Sequence, residues 1–162
     1  MDIRMIHYYC FEENGNLTQE LSKQFGIVVK SIFEDSIKNV IINVRNYNHI
    51  GMIVLDVKAF SKNTEGEMSD GIISLRMGYS GKLIIIADGY EENSAFIQKI
   101  RQGNIKYILS SSKQLDDSII SIIEEKEIIQ SVLNETSEAV HEKPNKAPLQ
   151  IKSNKNIKIG VC

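Results

Sequence analysis

Three short apolar runs, at positions 51–57, 83–87 and 105–109, are nearly continuous rather than alternating with polar residues; the first is interrupted only by Asp56 and the third only by Lys106. An alternating run is typical of a strand with one face in water, whereas a continuous run indicates a strand covered on both faces. Such strands belong to parallel sheets with helices packed on either side. Two further candidate strands, at 3–9 and 27–32, precede these three.

Amphipathic segments separate the runs and follow the last one. In the first segment Asn16 is a candidate N-cap and Gly26 a candidate C-terminal stop. The third segment begins at Asp70 and ends near Gly78. Each segment carries apolar residues at helical spacing, which predicts a helix with one buried face. The apolar positions are Leu17, Leu21 and Phe25; Ile37, Val40, Ile41 and Val44; Ile72, Ile73 and Leu75; Phe96, Ile97 and Ile100; and Leu115, Ile119, Ile122 and Ile123.

Predicted strands and helices alternate through five βα units. This order predicts a flavodoxin-like α/β fold, a doubly wound five-stranded parallel sheet of order 2-1-3-4-5 with helices on both faces. Hydrophobic residues make up 42% of the chain and charged residues 25%, which is ordinary for a globular domain. We assign this domain to residues 1–133.

The rest of the chain differs in composition. Residues 134–156 are rich in Glu, Lys, Asn, Ser and Thr and contain both prolines, Pro144 and Pro148, so we expect a flexible linker. The apolar stretch 157–162 predicts the first strand of a further domain that is missing or truncated. An ordinary short apolar tail is the alternative.

Charge and hydropathy argue against several classes of protein. The net charge is −2 and the sequence pI is about 5.9, so there is no electrostatic case for nucleic-acid binding. No apolar run approaches the roughly 18 residues that a membrane span needs, and the N-terminus lacks the features of a signal peptide. We therefore expect a cytoplasmic protein without membrane insertion. Cys10 and Cys162 lie at opposite ends and indicate no disulfide framework.

Asp56 ends the third predicted strand, so its carboxylate should stand at the carboxyl edge of the sheet. In open α/β sheets this edge is where ligands bind. The simplest interpretation is that Asp56 caps the turn that follows it. The alternative is that Asp56 takes part in binding or chemistry.

Several segments resemble the receiver domains of response regulators. Residues 52–56, Met-Ile-Val-Leu-Asp, resemble the third receiver strand, which ends in the phosphoacceptor aspartate. Residues 68–76, 83–87 and 103–109 resemble the third helix, the fourth strand and the fifth strand with its approach. The resemblance covers about residues 1–130, and it implies that Asp56 occupies the phosphoacceptor position.

The chain departs from the receiver pattern at the other strand ends. A receiver has an acidic pair after its first strand, a hydroxyl residue after its fourth and a lysine after its fifth. Here residues 8–10 are Tyr-Tyr-Cys, the fourth strand ends in Ala87, and residues 110–112 are serines with Lys113 displaced. The loop after the phosphoacceptor position is also predicted to be long, running to Glu67. We expect no lysine near the phosphoacceptor position.

These departures bear on the metal chemistry that the resemblance implies. Phosphoryl transfer needs metal ions and cationic groups to neutralise charge on the phosphoryl oxygens. Asp56 alone would hold Mg²⁺ poorly, and Glu12 and Glu13 are the carboxylates that could join it as ligands. Asp88, after the fourth strand, is a further candidate for a cation site at this edge. We expect a degenerate receiver that is not an enzyme and has no cofactor, with Mg²⁺ as the only candidate.

The end of the chain carries a second resemblance. Residues 158–162 resemble the opening strand of ParA/MinD-type P-loop ATPases, and pilus-assembly ATPases of the TadZ/CpaE type carry a degenerate receiver before such a domain. The two resemblances imply a pseudo-receiver that regulates or localises a P-loop ATPase through protein contacts. Its partner would be a separate protein, its own C-terminal ATPase domain or a second copy. The alternatives are a receiver phosphorylated on Asp56 and, less well supported, a small flavodoxin-like enzyme.

Receivers commonly signal through their last strand and helix. In this chain the corresponding region is 103–125, and we expect its exposed side to contact the partner. The residues predicted for that surface are Lys106, Tyr107, Gln114, Asp117 and Ser118.

Overall fold

The structure, a computed structural model, describes residues 3–47 and 49–135, with 126–135 as backbone only. Met1–Ile120 form one compact unit, and the remainder of the last helix belongs to a second unit. The predicted linker beyond Glu135 and the predicted strand at 157–162 lie outside the described residues.

Strands and helices alternate along the chain as the sequence predicts. The elements are β1 (Met5–Tyr9), α1 (Gly15–Phe25), β2 (Val28–Ile32), α2 (Ile37–Asn43), a 3₁₀ turn (Val44–Tyr47), β3 (Met52–Asp56), a second 3₁₀ turn (Val57–Ala59), α3 (Glu65–Gly78), β4 (Lys82–Ile86), α4 (Ala95–Gln102), β5 (Tyr107–Leu109) and α5 (Leu115–Glu135).

The five strands form one parallel sheet in the order β2-β1-β3-β4-β5. This confirms the predicted flavodoxin-like fold and its strand order. The register pairs Tyr9 of β1 with Ile32 of β2 and Leu55 of β3, and Asp56 with Ile86 of β4. The last residues of β1, β2, β3 and β4 therefore lie side by side at one edge.

The central strands are buried on both faces. Every residue of β3 is buried, and in β4 only Lys82 is partly exposed. Ile53, Leu55, Leu83 and Ile85 belong to a core cluster with apolar residues of α2, α3 and α4. The edge strands differ: β2 alternates buried Val29 with exposed neighbours, and β5 is only partly buried. Continuous burial is thus confirmed for the central strands, whereas the two edge strands are buried only in part.

Two helix starts lie earlier than the sequence predicts. The N-cap of α1 is Asn14, whose Oδ1 accepts the N–H of Leu17 at 3.0 Å, and the prediction of Asn16 was wrong. The predicted stop at Gly26 is confirmed; its φ of 67° lies in the left-handed region that glycine adopts without strain.

Helix α3 begins at Glu65 rather than at Asp70. Thr64 and Glu67 form a capping box, in which the Thr64 hydroxyl accepts the Glu67 N–H and the Glu67 carboxylate accepts the Thr64 N–H. The loop after β3 is therefore shorter than predicted. The prediction missed the helix start because the capping box precedes the first apolar residue of the helix by several positions.

Gly71 allows α3 to approach α2 closely. A Cβ atom added at Gly71 would lie 2.6 Å from Cγ2 and 2.7 Å from Cγ1 of Ile37, a buried residue. Both distances are shorter than van der Waals contact, so a larger side chain would have to push the two helices apart. In the first turn of the same helix, a Cβ at Gly66 would meet no atom within 4 Å.

We expect Gly71→Ala to lower the free energy of unfolding by about 1–3 kcal/mol through overpacking against Ile37. The matched variant Gly66→Ala should instead raise it by up to about 1 kcal/mol, since alanine favours the helix over glycine and nothing obstructs it. Urea unfolding followed by circular dichroism measures both. Equal stability of the two variants would contradict the proposed close packing.

Candidate functional site

A cavity of about 930 Å³ lies at the carboxyl edge of β1 and β3. The chain leaves β1 toward β2 on one side and β3 toward β4 on the other, so this edge is the switch point at which ligands bind in open α/β sheets. The cavity is lined by Tyr8, the loop and helix start at 11–16, Asp56, Lys58 and Ser112.

Asp56 is the last residue of β3 and lines this cavity, although it is only 6% exposed. Its Oδ1 accepts the backbone N–H of Lys58 at 3.1 Å and so caps the 3₁₀ turn Val57–Ala59. The simplest interpretation of the sequence, that Asp56 caps the following turn, is confirmed. The capped carboxylate still borders the cavity.

Burial raises the pKa of the Asp56 carboxyl above its ordinary value, because a low-dielectric setting disfavours the charged form. The hydrogen bond from the Lys58 N–H and the positive charge of Lys58 act in the opposite direction, and the charge of Asp88 adds to the rise. The ionised form of Asp56 therefore lowers the stability of the folded state.

Lys58 is the residue of this site that the sequence analysis missed. Its ammonium forms an ion pair with Asp88, with 3.2 Å between Nζ and Oδ2, and it lines the cavity with Asp56. The expectation that no lysine lies near Asp56 is wrong, because a lysine two residues later reaches the same edge. Asp88 was considered as part of a cation site, and the cation beside it here is the ammonium of Lys58.

Glu12 and Glu13, the predicted metal ligands, also line the cavity and are exposed in the loop between β1 and α1. Within the described residues no group of three or more His, Cys, Asp or Glu side chains is arranged to hold a metal ion. The fold brings Glu12, Glu13 and Asp56 to one cavity without gathering them into such a group.

The end of β1 contributes Tyr8 and Cys10 to this edge and no carboxylate. Burial is the main cause that raises the pKa of Tyr8, and electrostatic interactions with Cys10, Asp56 and Glu12 add to the rise, so its hydroxyl keeps its proton. Burial likewise raises the pKa of the Cys10 thiol, which does not favour a reactive thiolate. Tyr8 is a neutral hydroxyl in the wall of the cavity.

The ends of β4 and β5 carry little that could assist phosphoryl transfer. Ala87 is buried, and its N–H donates to the Leu109 carbonyl at 2.8 Å. Ser112 reaches the cavity wall, whereas Lys113 is exposed and not part of the lining; its backbone N–H donates to Ser111 Oγ at 3.0 Å.

The predicted interaction surface is accessible. Lys106, Gln114 and Asp117 are exposed, and Tyr107 and Ser118 are partly exposed. Tyr107 is the most constrained of these side chains. Its hydroxyl accepts a hydrogen bond from Lys82 Nζ at 3.1 Å, and the ammonium groups of Lys82 and Lys106 lie 4.8 and 5.2 Å from its ring centroid, within the range of cation–π interactions.

No family model and no curated protein matches this chain. Among solved structures, the chain is similar to a fusion of the yeast Spc42 trimeric coiled coil with another structure, with a TM-score of 0.53, 14% identity and 83% of each chain covered. A pilus assembly-related protein from Burkholderia pseudomallei is similar with a TM-score of 0.43, 12% identity and coverage of 73% of this chain and 87% of that one. At 14% identity the first similarity supports the fold alone. No helix among the described residues has the length and apolar character to cross a membrane.

We expect Asp56→Asn to raise the free energy of unfolding at pH 7, since the amide oxygen can still cap Lys58 and the buried charge is gone. The raised pKa of Asp56 means that its charge destabilises the folded state above that pKa and not below the unfolded value. The gain should therefore shrink as the pH falls toward 4. Asp56→Ala, the matched variant without a cap, should be less stable than Asp56→Asn by about 1 kcal/mol. Chemical denaturation at both pH values tests this, and an Asn variant weaker than the wild type at pH 7 would contradict it.

Proposed function

We propose that this chain is a pseudo-receiver, a non-catalytic binding module that regulates or localises a P-loop ATPase in the cytoplasm through protein contacts. The observation that carries the proposal is the state of the phosphoacceptor position. The Asp56 carboxylate caps the 3₁₀ turn that follows its strand, and the neighbouring Lys58 is ion-paired with Asp88. Phosphoryl transfer requires free cationic groups to meet the charge of the phosphoryl oxygens.

The charge around Asp56 argues in the same direction. Glu12 and Glu13 share its cavity, and the only lysine in the cavity lining is partly neutralised by Asp88. An incoming phosphate would meet a net negative field unless a metal ion were bound first. Because the three cavity carboxylates are not gathered into a metal-binding group, this requirement favours a role without phosphoryl transfer.

We place the partner surface on β5 and the start of α5, at Lys106, Tyr107, Gln114, Asp117 and Ser118. The partly exposed strand β5 and the Tyr107 ring, with two lysine ammonium groups in cation–π range, give this surface a partly apolar, partly charged character. An aromatic ring of fixed position is the kind of anchor that interfaces use. The partner would be an ATPase domain, whether separate or following in the same polypeptide, or a second copy of the chain.

We expect the purified chain, incubated with acetyl phosphate and Mg²⁺, to take up no stoichiometric phosphate. Its intact mass should match that of Asp56→Asn treated in the same way, while a competent receiver in a parallel reaction becomes phosphorylated. Phosphate bound by the wild type and absent from Asp56→Asn would overturn the proposal.

That result would instead support the second candidate, a phosphorylated receiver. The observation in its favour is that Asp56 does border a sizeable cavity together with Glu12 and Glu13. An Asp56→Asn variant with unchanged output in cells would count heavily against this second candidate.

A further inference from the structure

Two exposed phenylalanines stand beside one another at the carboxyl edge of the sheet. Phe11 follows β1 and is 72% exposed, and Phe33 follows the adjacent strand β2 and is 62% exposed. Both rings border a second cavity, of about 280 Å³, next to Ala59. Large apolar side chains grouped on a surface mark interaction sites, whereas single ones need no explanation.

Phe11 also belongs to the lining of the larger cavity, so the two cavities adjoin at this side chain. In the smaller cavity Phe11 and Phe33 lie beside the acidic residues Glu34 and Asp35. A ligand that filled both cavities would present an apolar group to the two phenylalanines and a polar group to the larger cavity.

The charge of the two cavities selects the sign of that polar group. Among the described residues, five carboxylates line them, and Lys58 is the one cationic residue in either lining. Lys58 is paired with Asp88, and Lys62 forms an ion pair with Asp35 at 3.3 Å. The carboxylates in the linings are Glu12, Glu13, Glu34, Asp35 and Asp56. A surface of this charge attracts cations and repels phosphates or nucleic acid.

The Tyr8 hydroxyl is a second, independent feature of the larger cavity. Tyr8 is only 4% exposed as a residue, and it lines the cavity. Among the described residues the buried side-chain polar atom without a hydrogen-bond partner is Nδ1 of His7, so the Tyr8 hydroxyl is not left unsatisfied. A polar ligand atom in the cavity could donate to its phenolic oxygen.

We propose that this edge docks a basic segment of a partner protein. A Lys or Arg side chain of the segment enters the larger cavity toward Asp56 and Tyr8, and an apolar residue packs between Phe11 and Phe33. The long aliphatic stem of Lys or Arg suits the ring of Phe11, and its charged end can lie over that ring on the way to the carboxylates. A metal ion would leave the phenylalanine pair uncovered, so a peptide fits both cavities better.

This surface is distinct from the one on β5 and α5 proposed above. It is built mainly from the loops after β1, β2 and β3; of the connection between β5 and α5, Ser112 lines the larger cavity, and none of the five residues proposed for the β5–α5 surface lines either cavity. The module would therefore hold a basic segment at one edge while it engages its ATPase partner elsewhere.

The test is a titration of the ¹⁵N-labelled full chain with a short synthetic peptide of alternating leucine and lysine, followed by NMR. We expect saturable shifts of the backbone amides at 11–13, 33–35 and Lys58. Two control peptides, one with glutamate for lysine and one with serine for leucine, should bind at least about tenfold more weakly, because each lacks one of the two anchors.

Matched variants separate this site from general stickiness. Phe11→Ser should weaken binding by about tenfold or more, and Glu12→Gln with Glu13→Gln should weaken it and reduce its dependence on salt. Met77→Ser is the control, because Met77 on α3 is 83% exposed and lies in neither cavity lining. Since all these side chains are exposed, the variants should fold, which circular dichroism verifies.

Three outcomes of the peptide titrations would overturn the proposal. They are equal binding of the glutamate peptide, binding that Phe11→Ser leaves unchanged, and no shift at these loops with any peptide. Sedimentation velocity covers the other occupant: if the chain self-associates and Phe11→Ser abolishes the association, the edge contacts a second copy and the basic-segment proposal is wrong.

Discussion

Burial of the central strands on both faces is the constraint on which the rest of the structure depends. Ile53 and Leu55 of β3 face the cluster formed with α2, α3 and α4, while Val54 is equally buried on the opposite face. Polar chemistry has no place in the middle of such a strand, so it is confined to the ends. Because all five strands are parallel, their carboxyl ends share one edge, and Tyr8 and Asp56 meet there.

The electrostatics of that edge follow from what fills it. In a phosphoryl-transfer site, carboxylates bind a metal ion and an unpaired lysine is available to bind the phosphate. Here Lys58 comes from the turn that Asp56 caps and is bound to Asp88, so carboxylate and ammonium groups already satisfy one another in part. Burial raises the pKa of Asp56, so the charged carboxylate is disfavoured at this buried position. A buried carboxylate beside a cavity is a costly arrangement, and such costs are concentrated at functional positions.

The two proposed surfaces use different physical means of recognition. The β5–α5 surface offers an edge strand and Tyr107, whose ring is fixed by Lys82 and Lys106. The carboxyl edge offers two exposed phenylalanines next to carboxylates that line the same cavities. The carboxyl edge is strongly acidic, whereas the β5–α5 surface carries both Lys106 and Asp117, so the two would select different partners.

The sequence by itself determined the strands, the helices and their order, because burial on both faces leaves continuous apolar runs and a one-sided helix leaves a periodic stripe. It also placed Asp56 at the carboxyl edge of the sheet. The start of α3 was predicted too late, because the capping box at Thr64 lies ahead of the apolar stripe. What only the tertiary structure decided is which side chains surround Asp56. Lys58 and Asp88 are 30 positions apart and meet because β3 and β4 are neighbours in the sheet, and Phe11 and Phe33 share a groove because β1 and β2 are. Local sequence patterns record burial, whereas contacts across adjacent strands depend on the folding of the whole chain.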